Sequence, residues 1–252
     1  YTMNNRRFVE TVTESASNYP DITFTRKGAI YTCVNPFSYH IVRKQRDMYE
    51  KMDGLYVDGM LMCKLINLMW GRSIPRLSFD MSGMAVDLFD RLNRNEETIY
   101  FVGAKQEALE STIAQIRKAY PGMNIAGYRN GYFLLPGDRE KEISHIASLN
   151  PDFVIVGMGS PLQEKFCIDL KAAGYKGIAF TCGGFLHQTA AGINYYPEWV
   201  NRYNLRAFYR LFHEKGLWGR LYNVLVEFPV LFTWDTVLTR LRGSGKRKEL
   251  TD

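Results

Sequence analysis

The residues best placed to do chemistry stand at the ends of apolar runs. Leu55-Tyr56-Val57 is followed at once by Asp58-Gly59. A short apolar run predicts a strand, and a carboxylate at its carboxyl end lies where open α/β sheets gather ligands. An ordinary Asp-Gly turn is the alternative use of the same pair. Further along, Phe153-Val154-Ile155-Val156 runs into Gly157-Met158-Gly159-Ser160-Pro161-Leu162-Gln163-Glu164. The glycines permit a sharp turn. Ser160-Pro161, with Gln163 three residues past the serine, reads as a helix start with Ser160 as N-cap. A second strand over 177–182 ends in Gly183-Gly184. Two glycine loops at the ends of strands suit a phosphate or a sugar, and they equally suit plain turns with a capping box. Gly157-x-Gly159 is not a dinucleotide fingerprint, because Gln163 falls near the place of the third glycine. His187 is the histidine nearest these loops, either as an acid/base group or as a hydrogen-bonded structural side chain. His40, His145 and His213 fall on predicted helices and carry no chemical assignment.

Metal chemistry is not expected. The sequence has no D-x-D, no H-x-x-x-H and no cysteine cluster. Its four cysteines, Cys33, Cys63, Cys167 and Cys182, are far apart, two of them in predicted buried strands, which points to a reduced compartment. No leader pattern opens the sequence. The expected location is therefore cytoplasmic.

The elements that must position these residues alternate. Strands are predicted over 29–34, 55–57, 98–102, 124–126, 153–156 and 177–182. Helices are predicted over 35–52, 60–70, 82–93, 106–120, 139–149 and from Ser160 to about 174. Residues up to about Lys27 show one weak helical pattern. The 60–70 helix, rich in methionine, is apolar nearly all round and reads as buried core. With 46% hydrophobic residues the chain is globular. Strands and helices alternating at this spacing predict an α/β protein: a doubly wound, mostly parallel, Rossmann-like sheet with a C-terminal helical appendage. The expected division is a core over 1–196 and an appendage over 197–252.

The appendage differs in texture. It holds ten Lys/Arg against six Asp/Glu, hence +4 of the chain's net +6, and three of the four tryptophans. Two amphipathic helices are predicted over 204–214 and 217–228, and residues 243–252 are predicted to be disordered. The stretch 221–238 is apolar, but Glu227, Pro229 and Asp235 interrupt it, so a segment lying in a membrane interface fits better than a span. A basic, Trp-bearing end suits an anionic surface. An anionic membrane on the inner face of the plasma membrane is the expected partner. Packing on the core or on a second copy, making a homo-oligomer, is the competing use.

Read in order, several short runs resemble the WecG/TagA/CpsF family of bacterial glycosyltransferases. They are Val34-Asn35-Pro36, Val57-Asp58-Gly59, Phe101-Val102-Gly103, Tyr120-Pro121-Gly122, Gly131-Tyr132-Phe133, the Gly157 to Glu164 run, and Pro197-Glu198-Trp199 followed by Tyr209-Arg210-Leu211. The resemblance covers about 29–222. It implies transfer of an N-acetylhexosamine or related sugar from a UDP-sugar to a lipid-linked acceptor, with no cofactor and no nucleic-acid partner. It places Asp58 as general base on the acceptor hydroxyl, with Asn35 and Gln163 in the same pocket. It puts Arg76 near the donor diphosphate, and Arg210 and Arg220 in an appendage that closes over the site. Cys33, Gly159, Ser160, Gly183, Gly184 and His187 complete the expected substrate-binding set. The chain departs from the family's pattern at Cys33, where threonine is usual, and at Leu217, where an arginine is usual. It departs again at His187-Gln188 in place of Phe-Asp, and in the spacing from Arg76 to Asp80.

Such a transfer needs a base, charge stabilisation for the leaving diphosphate and exclusion of water. Without a metal the charge must come from arginines, whose planar forks pair with phosphate oxygens. Two other classes compete. A nicotinamide-dependent oxidoreductase would need the full glycine fingerprint and an acid about twenty residues on. A membrane-binding scaffold would need no polar residues at strand ends.

Overall fold

The computed structural model describes residues 4–192, 200, 209 and 221–248, with side chains as far as 242. Its centre is a six-stranded, all-parallel sheet in the order β2-β1-β6-β5-β3-β4. The strands are β1 (Ile30–Val34), β2 (Gly54–Val57), β3 (Thr98–Gly103), β4 (Asn124–Arg129), β5 (Phe153–Gly157) and β6 (Ile178–Thr181). β5 is buried throughout, as a continuous apolar run covered on both faces must be.

One face of the sheet carries α1 (Asn5–Asn18), α2 (Tyr39–Lys44), α3 (Arg46–Tyr49), α4 (Met60–Trp70), α7 (Asp138–Leu149) and α8 (Leu162–Ala172). The other carries α5 (Met84–Leu92), α6 (Gln106–Ala119) and α9 (Phe185–Ala190), packed on an aromatic layer that includes Tyr31, Phe101, Phe153 and Phe180. From β3 the chain moves outward to β4, whereas from β5 it moves the opposite way to β6. The reversal leaves a switch point between the carboxyl ends of β3 and β5, the place where open sheets bind ligands. There the two backbones nearly touch. A Cβ on Gly103 would stand 2.2 Å from the Gly157 carbonyl oxygen, and its φ of 144° is open only to glycine.

The structure corrects several sequence expectations. The single helix over 35–52 is a turn followed by two short helices. Asn35 and Ser38 bond each other reciprocally (Asn35 N–H to Ser38 Oγ, 3.0 Å; Ser38 N–H to Asn35 Oδ1, 2.8 Å), so the helix starts only at Tyr39. Gln45, at ψ 40°, then breaks it. Ser160 does not cap α8, which opens at Leu162; its hydroxyl turns inward to Glu164. α4 is not buried all round, because Leu68 is 81% exposed while Met62, Cys63 and Ile66 face the core.

At the C-terminus a π-helical turn (Asn223–Glu227) leads into α10 (Phe228–Lys248). Pro229 cannot donate to the carbonyl four residues back, and a π turn just before it absorbs that missing bond. α10 runs through Lys248, past the point where disorder was expected, as an extension of turns anchored on the core. Phe228 and Phe232 are buried against Tyr39. Beside them Asp235, 6% exposed, accepts from Arg43 (Nε 2.6 Å, Nη2 3.0 Å), Arg46 Nη2 (3.1 Å) and the Tyr39 hydroxyl (3.0 Å). The opposite face of the same segment is apolar and open: Leu225, Val226, Val230, Trp234, Val237 and Leu241 are all exposed. The helix predicted over 204–214, apart from residue 209, and the first four residues of that over 217–228 lie outside the described residues; 221–228 are helical, with the π turn inside them.

Candidate active site

Two polar clusters stand at the carboxyl edge of the sheet. The first is built on β2. Its last residue hands the chain to Asp58, whose N–H donates to the Val34 carbonyl at the end of β1 (2.9 Å). Gly59 follows with φ 138°, packed so closely on Pro36 that an added Cβ would lie 2.8 Å from the ring. Asp58 is thereby fixed beside the Asn35-Pro36 turn. The next loop returns over β2 (Leu77 N–H to Val57 O, 2.9 Å) and brings Arg76 and Asp80 to the same place. Arg76 donates to Asp58 Oδ1 through both Nε (3.0 Å) and Nη2 (2.7 Å), and to Asp80 Oδ2 through Nη2 (3.1 Å). Burial works against the guanidinium's charge, but Asp58 and Asp80 outweigh it and raise its pKa further. Asp80 is itself held by Ser78 and Ser82. Asp58 Oδ2 accepts no hydrogen bond among the described residues, and the side chain stays 36% exposed. The site therefore presents a carboxylate oriented through one oxygen, with the other open.

Cys33 lies between this cluster and the second. Burial first, and the nearby Asp58 carboxylate next, push its thiol pKa far above the ordinary value, so it is a neutral thiol. Asn35 uses Oδ1 in its own turn and keeps the amide N–H₂ uncommitted among the described residues.

The second cluster lies under the two glycine loops. Glu164, fully buried, accepts through Oε1 from Thr32 Oγ1 (2.9 Å), Ser160 Oγ (2.8 Å) and Gln163 Nε2 (3.1 Å). Thr181 Oγ1 meets Thr32 Oγ1 at 2.6 Å. Gln163, 3% exposed, accepts the Gly183 N–H through Oε1 (3.1 Å) and donates to Ser160 Oγ (3.2 Å). It joins the loop after β5 to the loop after β6. Gly159 (φ 77°) and Gly183 (φ 54°) both border open space.

Of the sequence-predicted residues, the structure thus brings together Asp58 and Arg76, with Cys33 and Asn35 alongside. It also joins Ser160, Gln163 and Gly183, with Gly159 and Gly184 in the same loops. The His187 side chain, on α9, is exposed and makes no hydrogen bond or ion pair among the described residues; its backbone N–H donates to the Gly184 carbonyl (3.1 Å). Arg210 and Arg220 lie outside the described residues. Sequence reasoning missed Asp80, Thr32, Thr181 and the inward role of Glu164. A signal for two of them was present: Thr32 and Thr181 are polar residues inside otherwise apolar strands. Among the described residues no three His, Cys, Asp or Glu side chains are grouped to hold a metal ion, and no helix is long and apolar enough to cross a membrane.

A doubly wound parallel sheet with its polar clusters at the carboxyl edge is a Rossmann-like architecture, and comparison with known proteins gives its class. The chain matches the Glycosyl transferase WecG/TagA/CpsF family over residues 6–242 and belongs to it. It is 33% identical over 213 residues, 84% of this chain and 89% of the relative, to a UDP-Gal:alpha-D-GlcNAc-diphosphoundecaprenol beta-1,4-galactosyltransferase of Shigella boydii. It is 30% identical over 205 residues (78% of this chain, 76% of the relative) to an N-acetylglucosaminyldiphosphoundecaprenol N-acetyl-beta-D-mannosaminyltransferase of Bacillus subtilis (strain 168). A protein of the same description from Bacillus spizizenii is 26% identical over 251 residues, 97% of this chain and 93% of its own length.

Proposed function

We propose that this protein transfers a hexose-type sugar, N-acetylmannosamine or a related one, from a UDP-sugar to a polyprenyl-diphosphate-linked saccharide in bacterial surface polysaccharide synthesis. The observation that carries the reading is Asp58, gripped by Arg76 through Oδ1 with Oδ2 open at the carboxyl edge of the sheet. In the proposed reaction the acceptor hydroxyl oxygen attacks the anomeric carbon and its proton passes to Asp58 Oδ2. The bond from that carbon to the diphosphate oxygen breaks, and UDP departs. One displacement with one base inverts the anomeric centre. Arg76, already at the base, together with Arg210 and Arg220 of the appendage, offsets charge on the departing diphosphate without a metal ion.

The three relatives are named for two different transferred sugars, galactose in one and N-acetylmannosamine in the other two, but all three names give an acceptor with N-acetylglucosamine on diphosphoundecaprenol. A synthetic polyprenyl-diphosphate N-acetylglucosamine is therefore the acceptor to try, against a panel containing UDP-galactose and UDP-N-acetylmannosamine. Such an acceptor is membrane-bound. The exposed apolar stripe of α10, flanked by Arg240 and Arg242, suits an anionic bilayer at the headgroup boundary. The test is Asp58→Asn, which keeps the shape and removes the base. Transfer should drop by roughly two to four orders of magnitude. Near-normal turnover by the folded variant would remove Asp58 from the mechanism, and no transfer by wild type with any UDP-sugar would remove the reaction.

A further inference from the structure

Glu164 is a fully buried carboxylate with no part in the chemistry just proposed, and its hydrogen bonds have a direction that can be worked out. A carboxylate only accepts. Thr32 has one hydroxyl hydrogen and spends it on Glu164, so in the 2.6 Å contact between the two threonines Thr181 must be the donor. Ser160 likewise spends its hydrogen on Glu164, so its oxygen can only accept from Gln163. Both acceptors facing the Gln163 amide are now fixed, and the nitrogen must point to them. The amide oxygen is left facing the Gly183 N–H. With the amide reversed, two donors would meet at Gly183 and two acceptors at Ser160 and Glu164.

We infer that Glu164 is a positioning residue: as an acceptor-only group it sets the orientation of the Gln163 amide, and through it clamps the Gly183 loop to the Gly159-Ser160 loop. The two loops, each with a glycine in the left-handed region, leave neighbouring strands β5 and β6 just past the last ladder bond (Cys182 N–H to Val156 O, 2.9 Å), and the Gln163 amide joins them beyond it. A displacement of an ångström there would cost about a hundredfold in turnover if the loops bound the sugar donor.

The geometry supplies a discriminating variant. Glu164 Oε2 and the Tyr49 hydroxyl on α3 make no hydrogen bond of ordinary length, yet the hydroxyl lies close enough to Glu164 and Ser160 for both to act on its pKa. Glu164→Gln can keep an acceptor oxygen at Oε1 and place its N–H₂ at the position of Oε2, where the Tyr49 oxygen can accept. Glu164→Met keeps the bulk and removes every acceptor.

The readout that does not depend on sugar transfer is amide hydrogen exchange at Gly183, followed by NMR. Glu164→Met and Gln163→Ala should each lose protection at Gly183 while residues of β5 keep theirs; Glu164→Gln should retain it. Should Glu164→Met not fold, Glu164→Ala takes its place. Turnover, which rests on the proposed reaction, should follow the same pattern. Glu164→Met and Gln163→Ala each fall about a hundredfold, and the double variant falls no further than about twofold below the worse single one. Unchanged protection at Gly183 in Glu164→Met overturns the inference. So do multiplying losses in the double variant, or a Glu164→Gln protein as impaired as Glu164→Met. If wild type transfers no sugar while the exchange pattern holds, the proposed reaction fails and the clamp stands.

Discussion

Replacing Asp235 by alanine should loosen α10 from the core. The carboxylate is 6% exposed and receives four hydrogen bonds from three side chains, two of them guanidiniums. Removing one partner of a fully buried pair costs about 3–5 kcal/mol, and an exposed pair is worth about 0.2–1 kcal/mol. The case lies between, because Arg43 and Arg46 are 31% and 23% exposed and can turn to water once released. Tyr39 is deeply buried but still has Asn5 Oδ1 as acceptor at 2.7 Å. A loss of about 2 kcal/mol follows, which multiplies the undocked population of α10 roughly thirtyfold. Phe228 and Phe232 continue to hold the helix, so the protein should stay folded. Trypsin cleavage after Arg240 and Arg242, and exchange of the α10 amides, should both accelerate by that factor. Unchanged cleavage and exchange in Asp235→Ala would refute the view that this ion pair is what fastens the helix. Deleting 197–252 outright is a poorer probe, since it strips two buried phenylalanines from the core along with everything else.

Three further outcomes are expected. Transfer activity should survive EDTA, and a strict need for Mg²⁺ or Mn²⁺ would recast Asp58 and Asp80 as ligands. Trp234→Glu, at a position 58% exposed, should leave stability within about 0.5 kcal/mol and weaken binding to anionic liposomes about tenfold or more; undiminished cosedimentation would take the membrane role away from this face. Glu97 is held below its ordinary pKa of 4.5, first by the Arg91 guanidinium, which bonds both its oxygens at 2.7 Å. A depressed carboxylate contributes stability above its unfolded pKa and loses it as pH falls through the folded one. Glu97→Gln should thus cost about 0.5–1 kcal/mol at neutral pH, a cost that shrinks as acidification takes the pH through the depressed folded pKa, and a gap that does not narrow on acidification would contradict the pairing.

The elements most readable in the sequence were those whose burial is symmetrical. β5, and β6 as far as Phe180, are apolar without interruption because helices cover both faces, and the glycines at their ends mark where backbones approach. α1 was nearly unreadable, because only Phe8, Val9, Val12 and two small polar residues, Asn5 and Ser15, face inward from an otherwise polar helix. The break at Gln45 was hidden as well. Tyr39, Val42 and Tyr49 keep a helical rhythm across it, so periodicity alone joins two helices that the backbone separates.

The site shows the same asymmetry between local and distant information. Asp58 could be picked out because a carboxylate ending a strand is a local feature. Its fixing by Arg76 depends on how the loop after α4 folds back over β2, which no local pattern encodes. The Glu164 network is further out of reach: Thr32 and Glu164 are 132 residues apart and Thr32 and Thr181 are 149 apart. They meet only because β6 is inserted between β1 and β5 after the rest of the sheet has been laid down in sequence. A threonine alone inside an apolar strand looks like a tolerated substitution. Two of them, in contact across strands that turn out to be neighbours, need a common acceptor, since buried hydroxyls are costly unpaired. Topology therefore converts two unremarkable polar residues into a demand for a buried acid, and the chain meets that demand at Glu164, directly beneath the loops that border the open edge of the sheet.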